Sequence, residues 1–495
     1  MDWKLTSFVA DVREIEDQRT SGVAASAALA DALADSDPKS AFDPFGDGSF
    51  TSSNTLASIE SHPSFAMRSE LHDLGATAEG PIGNFPAGSA RVAVGLEYLD
   101  QFFRTEFSER DAASSVGNDL RRRVDAAFVE WNIPLFGRPN SRVGLRTLDV
   151  SAAARYEHYS DFPHAWAPRV GIDWSPMDGL KLRGMWAKAS RAPNLGDLNE
   201  RGNVSFVTPL PSAVPGSRPS EVLVWSGNNA DLSAETALTR TAGIAYSTSS
   251  VPVFQADVRY FNISFTHRIQ STSFSQDLLT NPQFEDLVTA NPSTTLRQRI
   301  CGSTLFAGST QSDCLSAAIE DVVDIRSRNV ASVRTDGLDF VMSLDDDESP
   351  NKFGVTVTGT YILDFGQQLT AHAPTVSLLN TQNHPINLQM SGTVRWENRN
   401  IFAAVVMRYS NSYRDIASEP ARPIASWTTM DAQCIFHLHS SAGGWLDKTD
   451  LRLGVENFFD RMPPFLVNRV AALGYDQENG DLTGRVISVG IRKKW

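Results

Sequence analysis

No apolar run of about 18 residues occurs in the 495-residue sequence, so no segment reads as a membrane-spanning helix. The only other structure that crosses a bilayer is a closed β-barrel, because every backbone group inside lipid must be paired. The choice is therefore between a soluble protein and a transmembrane barrel. Residues 1–30 do not read as a secretory leader either. Asp2 and Lys4 are followed by Asp11, Arg13, Glu14, Glu16 and Asp17, and residues 1–30 hold no apolar core. There is no excess of positive charge: 44 Lys and Arg against 58 Asp and Glu leave a net charge of -14. That argues against a nucleic-acid partner. It does not argue against a barrel, which carries its charges on the lumen and the loops. Catalytic signatures are absent. The chain has no GxSxG, HExxH or paired CxxC, and its glycines form no clear GxGxxG. No enzyme and no cofactor are expected.

Cysteine is scarce, with three in the chain. Cys301 and Cys314 lie in a Ser/Thr/Gly-rich stretch and are expected to form a disulfide, which implies an oxidising compartment. Closing that short loop contributes about 3 kcal/mol. Cys434 sits in a strand-like run and is expected to be unpaired packing. Helical periodicity is equally scarce. Ala24–Ala34 is the clearest helix, with Leu29 and Leu33 at i, i+4, and Leu315–Val323 is a second, shorter candidate.

What fills the chain instead is alternation with the period of a two-faced strand. In Thr147–Tyr159, Leu148, Val150, Ala152, Ala154 and Tyr156 share one face, and Asp149, Ser151, Arg155 and Glu157 the other. Asp450–Asn457 and Arg485–Trp495 show the same pattern. Further strands are predicted at Arg91–Phe107, Arg121–Trp131, Lys181–Lys188, Arg240–Tyr246, Val253–Phe265, Phe353–Leu363, Pro385–Trp396, Ile401–Tyr409 and Thr428–His439. Several have the roughly nine to eleven residues that a tilted membrane-spanning strand needs. Their connections fall into two kinds. Ser175–Gly179 and Trp396–Asn400 are short, whereas Arg191–Ala237, Gln270–Thr335 and Ser410–Ser426 are long and polar. Short turns at one rim and long loops at the other mark outer-membrane barrels. Aromatics cluster near strand ends (Tyr156, Tyr159, Trp174, Trp186, Tyr409, Tyr413, Trp427, Trp445, Phe458, Phe459 and Trp495), as interfacial girdles would place them.

At Arg155–Pro193 the sequence resembles TonB-dependent outer-membrane receptors. The run holds Arg155-Tyr156-Glu157-His158-Tyr159, Pro168-Arg169-Val170-Gly171, Trp174-Ser175-Pro176 and Ser190-Arg191-Ala192-Pro193, with Ser190 in place of the usual Phe. Leu232-Ser233-Ala234-Glu235 resembles the element that closes the large loop. Asn329 with Gly337-Leu338-Asp339-Phe340 resembles the next motif, and Asn457-Phe458-Phe459-Asp460 the penultimate turn. Phe42-Asp43-Pro44-Phe45-Gly46-Asp47-Gly48 and Ile133-Pro134-Leu135 resemble one branch of such receptors. The last strand, with Ile487, Val489 and Ile491 leading to Trp495, resembles the signal read by the outer-membrane assembly machinery.

The resemblance implies an all-β fold: a transmembrane antiparallel β-barrel with long extracellular loops in the outer membrane of a Gram-negative bacterium. Residues 1–90 are expected to hold the first strands and a long loop with a short helix. Residues 91–495 are expected to hold the rest, ending in strand 485–495. Alternation gives roughly 14 to 18 strands against about 22 in a complete receptor barrel. No plug and no TonB-contacting box are recognised, so a fragment or an incomplete gene product is the expectation, with TonB reached only through a plug absent from this chain. The implied ligands are siderophores, haem, cobalamin or oligosaccharides, and the implied partners are outer-membrane lipid and lipopolysaccharide. Within the long loops, Arg201, Arg218, Trp225 and Asn228 are the candidate ligand contacts, by charge-assisted bonding or stacking. No metal site is expected. His437 and His439 read as lumen-facing polar residues, and Asp345-Asp346-Asp347-Glu348 as a solvated turn. The alternatives are a passive channel or surface-binding barrel, and a soluble all-β carbohydrate-binding protein.

Overall fold

The computed structural model of the chain describes residues 3–45, 50–108, 116–214, 216–306, 314–315, 318–416, 418, 420–438, 448–467 and 474–493. Sixteen long strands dominate it. They are β1 (Lys4–Arg19), β2 (Ser64–Phe85), β3 (Gly88–Ser108), β4 (Val116–Phe136), β5 (Thr147–Tyr159), β6 (Ala165–Met177), β7 (Leu180–Arg191) and β8 (Glu235–Ser247). There follow β9 (Val253–Gln270), β10 (Arg328–Asp346), β11 (Lys352–Gln368), β12 (Leu388–Glu397), β13 (Ile401–Ser410), β14 (Trp427–Leu438), β15 (Thr449–Glu456) and β16 (Val486–Lys493). Each pairs antiparallel with the next in sequence. With the short Val376–Ser377 added to β11, the sheet has 17 strands.

Register and parity sort the side chains onto two faces. On β5 and β6 one face pairs Leu148 with Trp174, Val150 with Ile172, Ala152 with Val170 and Tyr156 with Trp166. The other face pairs Asp149 with Asp173, Ser151 with Gly171 and Ala153 with Arg169. The apolar face is exposed: Trp166 is 51%, Val170 50% and Ile172 46% accessible. A continuous belt of that kind is a surface for lipid, and the charged face is the lumen.

The belt has aromatic rims. Towards the long loops, Tyr98, Tyr156, Trp166, Trp186, Tyr260 and Tyr361 are exposed. Towards the short turns, Trp3, Trp131, Tyr246, Phe254, Phe353 and Trp396 are exposed. The upper rim steps down the cross-strand rows from Tyr98 through Tyr156 and Trp186 to Tyr260. A level girdle crossing tilted strands requires such a descent. Three of the expected girdle aromatics lie elsewhere, and Trp445 and Trp495 lie outside the described residues. Trp427 shares the lumen face of β14 with Asp431 and Gln433. Tyr159 is on the lumen face beside Val124, and Tyr413 is buried among loop residues Ile386, Ile424 and Leu466.

Most connections alternate in length. Residues 86–87, 137–146, 178–179, 248–252, 347–351 and 398–400 turn at one rim. The described parts of 20–63, 192–234, 271–327, 369–387, 411–426 and 457–485 project from the other, where the short turn 160–164 also lies. The loop 20–63 carries α1 (Ser26–Ala34), which falls within the helix predicted from the Ala-rich run, and α2 (Ser53–Ile59), capped by Ser52.

Loops 192–234 and 271–327 fold together into a cap. Val204–Leu210, Ser220–Ser226, Asp321–Asp324, Val288–Ala290 and Leu305–Phe306 make a five-stranded sheet. Asp321–Asp324 is thus a strand beside Ser220–Ser226, which overturns the helix expected over Leu315–Val323. The reason is burial on both faces: Val322 and Val323 enter two different apolar clusters. A helix does form in the cap at α3 (Thr294–Ser303), with the Ser293 hydroxyl accepting from the Leu296 amide. Cys301 and Cys314 are disulfide-bonded within the second cluster. Cys434 is a free thiol that shares the apolar face with Ala403 and Leu453.

Candidate ligand-binding cleft

The cap meets the lumen wall over β2, β3 and β4. Lumen parity brings Leu71 opposite Gln101, Ser69 opposite Phe103 and Met67 opposite Thr105. On β4, Arg122 lies opposite Gln101. Two cavities of about 530 and 490 Å³ lie between this wall and the cap segment 191–204, and both are bounded by Phe103 and Gly196. Together they have the size of a small-molecule site.

The first cavity is built around Arg122. Its side chain is almost fully buried, and its Nε and Nη2 donate to the Asp161 carboxylate at 2.8–3.1 Å. Its Nη1 donates to the Pro193 carbonyl at 2.7 Å, and the guanidinium lies 5.7 Å from the Tyr159 ring centre. One arginine thus ties the wall to both the β5–β6 turn and the start of the cap. Arg191, also on the lining, pairs with Glu235 at 2.6 Å. Glu235 in turn accepts from the Ile269 amide at 2.7 Å. Asn329 bonds the Ser233 amide and carbonyl and the His267 carbonyl at 2.6–2.8 Å. Arg191, Glu235 and Asn329, three residues of the family-like motifs, therefore brace the base of the cap.

The second cavity has an aromatic wall, Phe65 and Phe103, and an amide rim of Asn199, Asn203 and Asn228. Asn199 donates to the Thr105 hydroxyl at 2.8 Å, fixing the cap to β3. Asn203 exchanges two bonds with the backbone of Asn228, at 2.7 and 2.8 Å, and Asn228 donates to the Asn199 carbonyl at 3.1 Å. Gly227 is needed between them. Its φ is +126° and a Cβ there would strike the Asn203 side chain. Behind this rim Arg326 stacks 3.4 Å from the Trp225 ring centre, forks onto Asp324 and reaches Glu200 at 2.8 Å.

Of the loop residues singled out from sequence, Arg201 and Asn228 line the second cavity. Trp225 is 6% exposed beneath Arg326, and Arg218 pairs with Glu320 on the outside of the cap. Ile487, Val489 and Ile491 point outward on β16 and are exposed, while Trp495 and His439 lie outside the described residues. His437 faces the lumen and contacts Asp450 at 2.8 Å. Phe65, Phe103, Thr105 and Arg122 were not singled out. The only sequence signal for them was parity, which puts large or charged side chains on the wet face of otherwise two-faced strands. No cluster able to hold a metal ion is present among the described residues.

With this architecture in view, a family model described as TonB-dependent receptor-like β-barrel matches residues 13–458. The chain belongs to that family. Its members are outer-membrane barrels of Gram-negative bacteria, and the exposed belt with its two aromatic rims is what that location requires. A curated relative, the probable TonB-dependent siderophore receptor PirA of Acinetobacter baumannii, is 23% identical over 233 residues, covering 43% of this chain and 29% of the relative. Among solved structures, a mutant of the ferric enterobactin receptor PfeA of Pseudomonas aeruginosa, in complex with enterobactin, aligns with a TM-score of 0.54 at 14% identity. That alignment covers 88% of this chain and 60% of the receptor. The siderophore receptor PirA from Acinetobacter baumannii aligns with a TM-score of 0.51 at 14% identity, covering 98% and 68%. At these identities the two structures establish the fold. The chain spans about three fifths of the first receptor's length.

Proposed function

We propose that this barrel captures a ferric siderophore in the cleft between the cap and the β2–β4 wall, as the outer-membrane stage of energised uptake. The observation that carries the reading is the composite cleft. Its aromatic wall belongs to the barrel and its amide and arginine rim to the cap, so a ligand lodged there touches both. Phe65 and Phe103 offer stacking faces, and Asn228, Asn203 and Arg201 offer polar groups for ligand oxygens. The siderophore class is favoured over haem, cobalamin or oligosaccharide by the names of the similar receptors. Energy coupling through TonB comes with the family, and no described residue is assigned to that contact. The reading is a receptor and not an enzyme. A passive channel would have no use for a braced cap over its wall. The outward row Ile487, Val489 and Ile491 fits a signal for the barrel assembly machinery.

Tryptophan-fluorescence titration with ferric enterobactin tests the cleft. Phe103→Ala removes the aromatic surface shared by both cavities and should weaken binding about tenfold or more. Haem, cobalamin and an oligosaccharide serve as competitors. An unchanged affinity in Phe103→Ala, or tighter binding of a competitor, contradicts the assignment.

A further inference from the structure

A third cavity, of about 380 Å³, lies where the loop 457–485 meets strands β13–β15, and it shares no lining residue with the cleft. Lumen parity sets its wall. Ser410 lies opposite Trp427, and Arg408 opposite Thr429. One step above the Ala432–Val455 pair, Asp431 and Glu456 line the same wall. The loop closes the cavity with Asn457, Asp481 and Thr483. The Asn457 amide donates to Asp431 at 2.9 Å, and its side chain exchanges two bonds with the Arg461 backbone at 2.9 and 3.0 Å. Asp481 accepts from the Thr483 amide at 2.7 Å. Wall and loop are thus joined around the cavity by fixed bonds.

The charges inside it do not balance. Arg408 pairs with Asp431. Glu456 and Asp481 are exposed, and no cation is paired with either among the described residues. Trp427 adds an indole to the lining, and its buried Nε1 has no hydrogen-bond partner. A buried donor without an acceptor is uncommon in a folded protein. The cavity therefore offers two carboxylates that lack a cation and one donor that lacks an acceptor.

We propose that this cavity takes the amino-terminal end of a cationic peptide, with ammonium groups on Glu456 and Asp481 and the first carbonyl oxygen accepting from Trp427 Nε1. Both deficits select this occupant. A metal ion would face the indole N–H with like polarity, and a simple polyamine would leave that donor unpaired. A peptide terminus carries an ammonium and a carbonyl on adjacent carbons, so it meets both needs in a small space. The indole ring beside an ammonium adds cation–π attraction. A volume of about 380 Å³ is near the lower end for ligand sites, which suits one or two residues and not a folded partner. The site does not rest on the ligand assigned to the cleft.

The test uses the chain purified in a mild non-ionic detergent and titrated calorimetrically with lysyl-lysinamide. Glu456→Gln/Asp481→Asn should weaken binding about tenfold or more. Trp427→Phe keeps an aromatic ring but removes the donor, and should weaken binding about threefold or more. Asp231→Asn, a neutralised carboxylate on the cap, should leave it unchanged. Where the double variant fails to assemble, Asp481→Asn alone, in the loop, carries the test and should show a partial loss. Equal binding by the double variant and the unaltered chain overturns the site. So does equal binding of the peptide acetylated on its amines. Competition by calcium or by spermidine as strong as by the peptide overturns it as well, by showing a cation site with no use for a carbonyl. Ferric-siderophore affinity should be the same in the double variant. Its loss there would place both ligands at one site and overturn the separate one, whereas failure of the cleft reading alone registers in Phe103→Ala.

Discussion

Arg122 shows how much of this molecule hangs on single side chains at the rim. It reads in sequence as one of three consecutive arginines, yet its neighbours Arg121 and Arg123 face outward while it alone turns into the wall. Buried there, it joins three segments through Asp161 and Pro193. Arg122→Met strands the Asp161 carboxylate. Because Asp161 keeps 30% of its exposure, the expected cost is about 2 kcal/mol, less than for a fully buried pair. Hydrogen exchange over residues 192–199 should quicken accordingly, and unchanged protection would remove Arg122 from its bracing role. His384, in the loop 369–387, gives a pH dependence. Burial holds its imidazole below the ordinary value of 6.5, against the opposing pull of the Gln382 carbonyl and Asp476. The closed loop therefore favours neutral His384, and an opened loop takes up a proton more readily. Its contribution to closure is present above about pH 6.5 and declines as the pH falls through that value towards the lower native one. Proteolysis of this loop should be faster at pH 5 than at pH 7.5, and His384→Gln should flatten the difference.

At the scale of elements, the wall was legible and the cap was not. The wall strands have one face in lipid and one in water, so burial alternates with period two and the alternation survives in the sequence. The cap strands are covered on both faces. Val222, Leu223 and Val224 are all fully buried, so no alternation marks them, and the polar residues around them read as loop. The cleft was half legible for a related reason. Arg201 and Asn228 stood out as polar loop residues, but their wall partners are set by non-local contacts such as Asn199 to Thr105, 94 residues apart. The disulfide anchors this cap through Cys301 and Cys314, which pack with Leu223, Trp225 and Ile300. Replacing both cysteines by serine should cost the cap about 3 kcal/mol by loop closure. Protease nicking within 271–327 should rise while the heat-modifiable gel mobility of the barrel stays the same. Loss of barrel mobility would show instead that cap and wall unfold as one unit.

At the scale of the whole molecule, the sixteen strands, the exposed belt, the stepped aromatic rims and the alternating connections all describe one object: a wall with lipid on one side and water on the other. Cys434 offers a direct probe, because it is the free thiol and sits in the middle of the belt between Ala403 and Leu453. Its neighbour Gln433 faces the lumen between Ala404 and Gly454. A nitroxide attached at Cys434 in reconstituted vesicles should relax strongly with oxygen and weakly with a water-soluble nickel complex. The same label on Gln433→Cys in a Cys434→Ser background should show the reverse. Equal accessibility at the two positions, or water exposure at Cys434, would contradict the two-faced wall on which the account stands.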